Sequence, residues 1–262
     1  MIAEATVKTL ARIQGVDPAV IDRDHALGVV LWALNQQLTA QGWVFKGGTC
    51  LRKCYFGDYR FSEDLDFTVI GRLNTEGALA TIAACEPAAS SQGIRLLLED
   101  ARAEVMDDEY GRESIEIKVP YRGALRMGSA PNVQFHLSAD EELAFEPLLR
   151  PLLHPYDDAL GLACELRSYA LEEVLTEKLR AAAGQREYAV ARDIYDIANV
   201  VSRGWTPRPP WPRCLARRRT RIWTLAARLS ALWRAGTNSR RAGSGRSRTW
   251  WSTTSTSSRR SP

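Results

Sequence analysis

Residues 64–70, DLDFTVI, alternate without a break. Asp64, Asp66 and Thr68 fall on one side, and Leu65, Phe67 and Val69 on the other. A period of two is the mark of a strand with one face in a core. It sets two carboxylates side by side on the opposite face. Burying such a pair unneutralised is very costly. The strand therefore needs water or a cation on its acid side. Magnesium suits it, because that ion takes oxygen ligands and usually one or two carboxylates together with substrate phosphates.

Upstream, Gly47-Gly48-Thr49 forms a turn between a short strand pattern, GWVF (42–45), and a helical one, TCLRKCYF (49–56). Glycines let backbone approach a phosphate closely, and the start of a helix points N–H groups and partial positive charge at an anion. The Thr49 hydroxyl offers a further donor. Gly-Gly alone is usually just a turn, and an acid-x-acid pair alone is usually a solvated strand face. The two in this order are the parts of a phosphoryl- or nucleotidyl-transfer site.

Residues 1–40 have helical spacing, with Val20, Ile21, Leu27, Val30, Leu31, Leu34 and Leu38 in register. Residues 75–90 read as a helix. IRLLLE (94–99), SIEIKVPY (114–121) and NVQFHLS (132–138) read as strands. Residues 170–184 and 187–203 read as two more helices. The pattern predicts an α/β domain over 1–164, a helical part over 165–206, and a separate tail over 207–262. The chain has no apolar run long enough to span a bilayer and no signal peptide. Its five cysteines form no CxxC pair, as expected of reduced thiols in the cytoplasm. Three histidines, spread over the chain, do not suggest a His-rich zinc centre.

The net charge of +4 is unevenly spread. All the acids lie before Pro207, and the rest of the chain is rich in Arg, Ser, Trp and Pro. One reading of this tail is a basic nucleic-acid-binding arm. Another is a GC-rich gene translated out of frame. Shifting the frame of WWSTTSTSSRRS permits a string of acidic and apolar residues, which suits the end of a helical domain. That reading expects the tail to pack badly.

The stretch KGGTCLRKCYFGDYRFSEDLDF (46–67) resembles the signature of AbiEii/AbiEiia-type nucleotidyltransferase toxins, members of the DNA polymerase β-like nucleotidyltransferase superfamily. The matching positions are Lys46, Gly47, Gly48, Thr49, Leu51, Arg52, Arg60, Phe61, Ser62, Glu63, Asp64, Leu65, Asp66 and Phe67. A second block, LEEVLTEKLRAAAGQREYAVARDIYDI (171–197), is similar to the family's downstream helices, with a lysine followed by Arg-Asp-x-x-Asp. The likeness spans roughly residues 25–205.

The resemblance implies a mixed sheet with flanking helices, an α+β or α/β fold, followed by a helical C-terminal part that completes the site. It implies a type IV toxin–antitoxin or abortive-infection enzyme that transfers NMP from an NTP to RNA, notably the 3′ end of tRNA. Magnesium or manganese would sit on Asp64 and Asp66, with Glu116 the candidate third carboxylate. Lys118, on the same strand face, is the alternative occupant of that position. Lys46, Gly47, Gly48, Thr49, Arg52, Ser62 and Lys178 would hold the nucleotide. Asp193 or Asp196 would position substrate or act as base, against the plainer reading that Arg192 or Arg186 pairs with them structurally. Lys178 likewise has the plainer reading of a snorkelling surface lysine. A cognate antitoxin from a neighbouring gene is expected, acting without a stable complex. The rival readings are nucleotidyl transfer to a small molecule, a damaged relative that binds nucleotide or RNA without turnover, and a DNA-binding protein that works through its tail.

Overall fold

A computed structural model describes residues 1–37, 40, 42–107, 113–126, 128–139, 143–182 and 191–203. Helix α1 (Glu4–Gln14) stops at Gly15, whose φ of 67° is the left-handed end that glycine supplies most readily. Helix α2 (Pro18–Asn35) starts at Asp17, whose side chain accepts from the Ala19 N–H at 2.8 Å, with Pro18 in the first turn. Ile21, Ala26, Leu27, Val29, Val30, Leu31, Ala33 and Leu34 of α2 are all buried. A helix apolar on nearly every side belongs inside a core. Much of this surface joins one cluster with the sheet residues Phe45, Leu65, Phe67, Ile115, Ile117, Val133, Phe135 and Leu137.

The sheet has eight strands: β1 (Trp43–Lys46), β2 (Asp64–Val69), β3 (Arg95–Leu96), β4 (Arg102–Asp107), β5 (Glu113–Arg122), β6 (Asn132–Ala139), β7 (Leu148–Pro151) and β8 (Glu165–Ser168). Their order is β3-β5-β6-β2-β1-β8-β7, with β4 also paired to β5. The sheet is mixed: β1 runs antiparallel to β2, while β2 and β6 are parallel. The predicted strand alternation is realised: Leu65 and Phe67 are buried, and Asp64 and Asp66 are half-buried on the opposite side. Between β1 and β2 the chain turns through α3 (Gly47–Cys50), which widens into a π-helical turn at Leu51–Tyr55.

Several elements differ from the sequence reading. Residues 94–99 make only the two-residue β3 before a 3₁₀ turn at Leu98–Asp100. The helix over 75–90 is two helices, α4 (Thr75–Ala84) and α5 (Glu86–Ser91), because Pro87 lacks the N–H that would continue α4. Strands β4, β7 and β8 were not anticipated. Strand β8 lies beyond residue 164 and pairs in parallel with β1, so the sheet continues into the part expected to be helical. Helix α6 (Leu171–Arg180) follows it in the same compact unit, Met1–Ala189. Helix α7 (Ala191–Ser202) belongs to a second unit, Val190–Pro262. Residues 187–190 of the last predicted helix and the whole tail, 207–262, lie outside the described residues.

Candidate active site

Register across the sheet builds two rows of side chains on the face opposite the core. One row runs Asp64–Gln134–Lys118–Arg102 and the next runs Asp66–His136–Glu116–Glu104, from β2 through β6 and β5 to β4. The acid pair thus sits on an inner strand whose register is fixed by neighbours on both sides.

On the β1 side of the pair stands the glycine turn. Gly47 has φ 78°, which favours glycine, and a Cβ placed there would lie 2.0 Å from Asp66 Oδ2. The turn therefore touches the carboxylate only because position 47 has no side chain. A Cβ on Gly48 would meet the Arg60 guanidinium at 2.9 Å and the Ser62 hydroxyl at 3.1 Å. The RFS residues before the acids thereby close over the turn.

On the β6 side, His136 Nδ1 lies 3.1 Å from Asp66 Oδ1, and its Nε2 lies 3.4 Å from Glu116 Oε2. The Gln134 side-chain amide lies 2.8 Å from the same Nε2. The hydrogen bond to Asp66, with the neighbouring carboxylates, raises His136 above the ordinary imidazole value, against the effect of its burial. Glu116 also pairs with Lys118, whose ammonium holds that carboxyl below its usual range. The expectation that Glu116 is a third metal carboxylate beside Asp66 meets an obstacle here. An imidazole stands between the two acids, and Glu116 is engaged by His136 and Lys118. His136 was read only as a strand residue. A single histidine has no spacing partner, and the register that brings it to Asp66 spans residues 66 to 136.

Two of the expected nucleotide contacts are engaged within the fold. The Thr49 hydroxyl is buried and donates to the Asp64 carbonyl at 2.6 Å, so it is committed to strand β2. Arg52 is buried, with Nε 2.7 Å from Asp24 Oδ1, a further bond to the Tyr59 carbonyl, and its guanidinium 4.0 Å from the Phe61 ring centroid. Asp24 also receives the fully buried Lys53 ammonium at 2.8 Å and the Tyr156 hydroxyl at 2.6 Å. Burial pushes the Asp24 carboxyl up, but Lys53 and Arg52 together bring it down to about 2.

Lys46 ends β1 with its ammonium 3.5 Å from Glu177 Oε1. That pair ties α6 to the edge of the glycine turn, and half-buried Lys178 is the next residue along the helix. Asp193 and Asp196 are on α7 in the second unit.

A groove of about 700 Å³ opens on the sheet beyond Glu116. Arg102, Lys118 and Arg122 line it, with Asn132, Glu99 and Asp100. Elsewhere, His25 Nε2 and His154 Nε2 lie 2.8 and 3.0 Å from the two oxygens of Asp158. The three offer ligand atoms within 4.8 Å of one another. Both Nδ1 atoms are buried without a partner. Metal-bound histidines almost always donate their second nitrogen to an acceptor, so this cluster reads as a carboxylate bridging two neutral imidazoles.

A family model described as the nucleotidyl transferase AbiEii toxin of a type IV toxin–antitoxin system matches residues 29–230. The match passes residue 205, where the likeness read from the motifs ends, and enters the Arg-rich segment. Among solved structures, the chain is similar to MenT4, a nucleotidyltransferase toxin from Mycobacterium tuberculosis H37Rv. The TM-score is 0.53 at 26% identity, over 77% of this chain and 65% of that one. The chain thus spans just under two thirds of that neighbour's length. No curated protein matches.

Proposed function

Since the chain belongs to the AbiEii nucleotidyltransferase toxin family, we propose that it transfers NMP from an NTP to an RNA acceptor, with the 3′ end of tRNA as the expected target. The carrying observation is the contact between turn and acid pair. The left-handed Gly47 leaves the space over its Cα to Asp66 Oδ2, so a phosphate cradle and a carboxylate pair share one wall.

The donor set fits a hard divalent cation. Asp64 and Asp66 present oxygens from one strand face, both half-buried. Magnesium or manganese, when bound, neutralises phosphate charge and stabilises the attacking and leaving oxygens. The chain's own residues do the rest. The backbone at Gly47 and Gly48 approaches the triphosphate, and Lys178 on the adjoining α6 adds positive charge. Lys46 holds that helix through Glu177. Ser62 and Arg60 brace Gly48. His136 orients Asp66 through its Nδ1, and Glu116 steadies the far side of the ring. The acceptor hydroxyl attacks the α-phosphorus, the bond to the β-phosphate oxygen breaks, and pyrophosphate leaves. The hydroxyl proton passes to a carboxylate of the Asp64–Asp66 pair.

A cognate antitoxin and action in the cytoplasm belong to the same proposal. Among the described residues no helix is long and apolar enough to cross a membrane. The rival reading, transfer to a small molecule, gives no role to the Arg102–Lys118–Arg122 groove two and three strands from the acids.

The test is transfer of label from each α-labelled nucleoside triphosphate, with magnesium, to total RNA. Wild type should label tRNA-sized product, and Asp66→Ala should lose at least about a hundredfold, as expected when a positioned catalytic charge is removed. No label from folded wild-type protein would sink the proposal.

A further inference from the structure

The two rows of the sheet face divide the space around the acid pair. The glycine turn and the Lys46–Glu177 link to α6 lie on the β1 side of β2. That side is taken by the donor triphosphate. The opposite side, across β6 and β5, is where an attacking group must come from if attack and departure are roughly in line. Cations recur along the Asp64 row, with Glu116 and Glu104 in the row beside it and Lys118 paired to Glu116. Lys118 is in register with Asp64 through Gln134, two strands away, and Arg102 is one strand further. At the ordinary strand spacing these lie about 10 and 14 Å from Asp64. Arg122 follows four residues after Lys118 on the same face of β5 and is paired in register with Arg95.

We infer that the groove lined by Arg102, Lys118 and Arg122 receives the acceptor polynucleotide and leads its terminal hydroxyl to Asp64 and Asp66. The inference rests on that nucleotidyl-transfer reading with an RNA acceptor and adds to it the path by which the acceptor reaches the acids. A small acceptor would have no use for positive charge two and three strands from the metal-binding pair. A polynucleotide has a phosphate at each step, and neutralising phosphates supplies most of its sequence-independent affinity. At about 700 Å³ the groove is of ordinary ligand-cleft size. Glu99, Asp100 and Asn132 on its wall repel or ignore phosphate but accept hydrogen bonds from base amino groups. That mixture suits a strand end with bases unstacked, the form in which proteins usually read RNA.

Arg102 and Arg122 are exposed on the sheet surface, so alanine there should be tolerated. The full chain carrying Arg102→Ala and Arg122→Ala is compared with wild type by fluorescence anisotropy of a labelled tRNA transcript across a salt series. The expected result is at least about tenfold weaker binding and a salt slope reduced by about two, one for each lost phosphate contact. KM for RNA should rise, KM for NTP should hold, and Arg102→Lys with Arg122→Lys should restore binding. Thermal midpoints of all variants establish that they are folded. Unchanged affinity and slope in the folded alanine variant would overturn the inference. RNA binding is also measured without NTP in the Asp66→Ala background, which separates the two readings. If wild type transfers nothing but the alanine variant still weakens RNA binding, the groove stands and the transfer reading falls. If wild type labels RNA and the alanine variant binds normally, the groove falls and transfer stands.

Discussion

Gly47 has two reasons to be glycine, and they are separable. Its φ of 78° costs an L-residue about 1–2 kcal/mol, while the space over its Cα belongs to Asp66 Oδ2. Gly47→Ala should therefore lower the thermal midpoint modestly but cut transfer by about a hundredfold, because the new methyl displaces the carboxylate. Calorimetry beside a transfer assay checks both effects; equal activity in a folded variant would break the link between turn and acid. Histidine 154 offers a second single-residue test. Burial, with Lys53 and His25 nearby, holds it down at about 4. In the unfolded chain it takes a proton near 6.5. The unfolded state therefore binds the extra proton first as pH falls. Stability from this group is complete above 6.5 and declines by up to about 3 kcal/mol as pH drops to 4. Asp158, held at about 2 by hydrogen bonds from the histidines against its own burial, loses its contribution only below the ordinary carboxylate value. Urea midpoints at several pH values should show the decline in wild type and a flatter profile in His154→Gln.

Among elements, α2 and the Gly47–Tyr55 helical turn are joined by buried charge rather than by apolar packing alone. Asp24 of α2 takes Arg52 and Lys53 from the turn and Tyr156 from the loop after β7. Asp24→Asn should destabilise the protein by about 3–5 kcal/mol, since two buried cations lose the anion they share. Chemical denaturation measures it; a loss below about 1 kcal/mol would mean that water or another acid replaces Asp24. This junction also shows where the sequence is mute. The Gly-Gly turn, the alternation of β2 and the long apolar α2 are written in local spacing, and so were legible. The family resemblance places Arg52 among the nucleotide contacts; its partner in the fold, 28 positions upstream, has no local signature. Strands β7 and β8 are four residues each, too short for alternation to distinguish them from loop. His136 and its place between Asp66 and Glu116 emerge only from pairing across β2, β6 and β5.

At the scale of the whole molecule, one sheet face is core and the other is chemistry, and the charge of the chain is divided along its length. Every acid precedes Pro207. A change of reading frame now has to accommodate the family match, which reaches residue 230. The C-terminal segment outside that match is 231–262, which contains WWSTTSTSSRRS. Resequencing the gene is expected to reveal a frame break upstream of that run; an intact frame would leave the arginines as a native basic arm. The clamped turn has a further consequence. The turn proposed to meet the nucleotide is already held by Asp24 through Arg52 and Lys53, by the Thr49 hydroxyl on β2, and by Arg60 and Ser62 against Gly48. Capture of a triphosphate then freezes little additional chain. Association should be a single fast event whose selectivity comes from rigid fit, and the site should adapt poorly to donors whose phosphate spacing departs from the natural one.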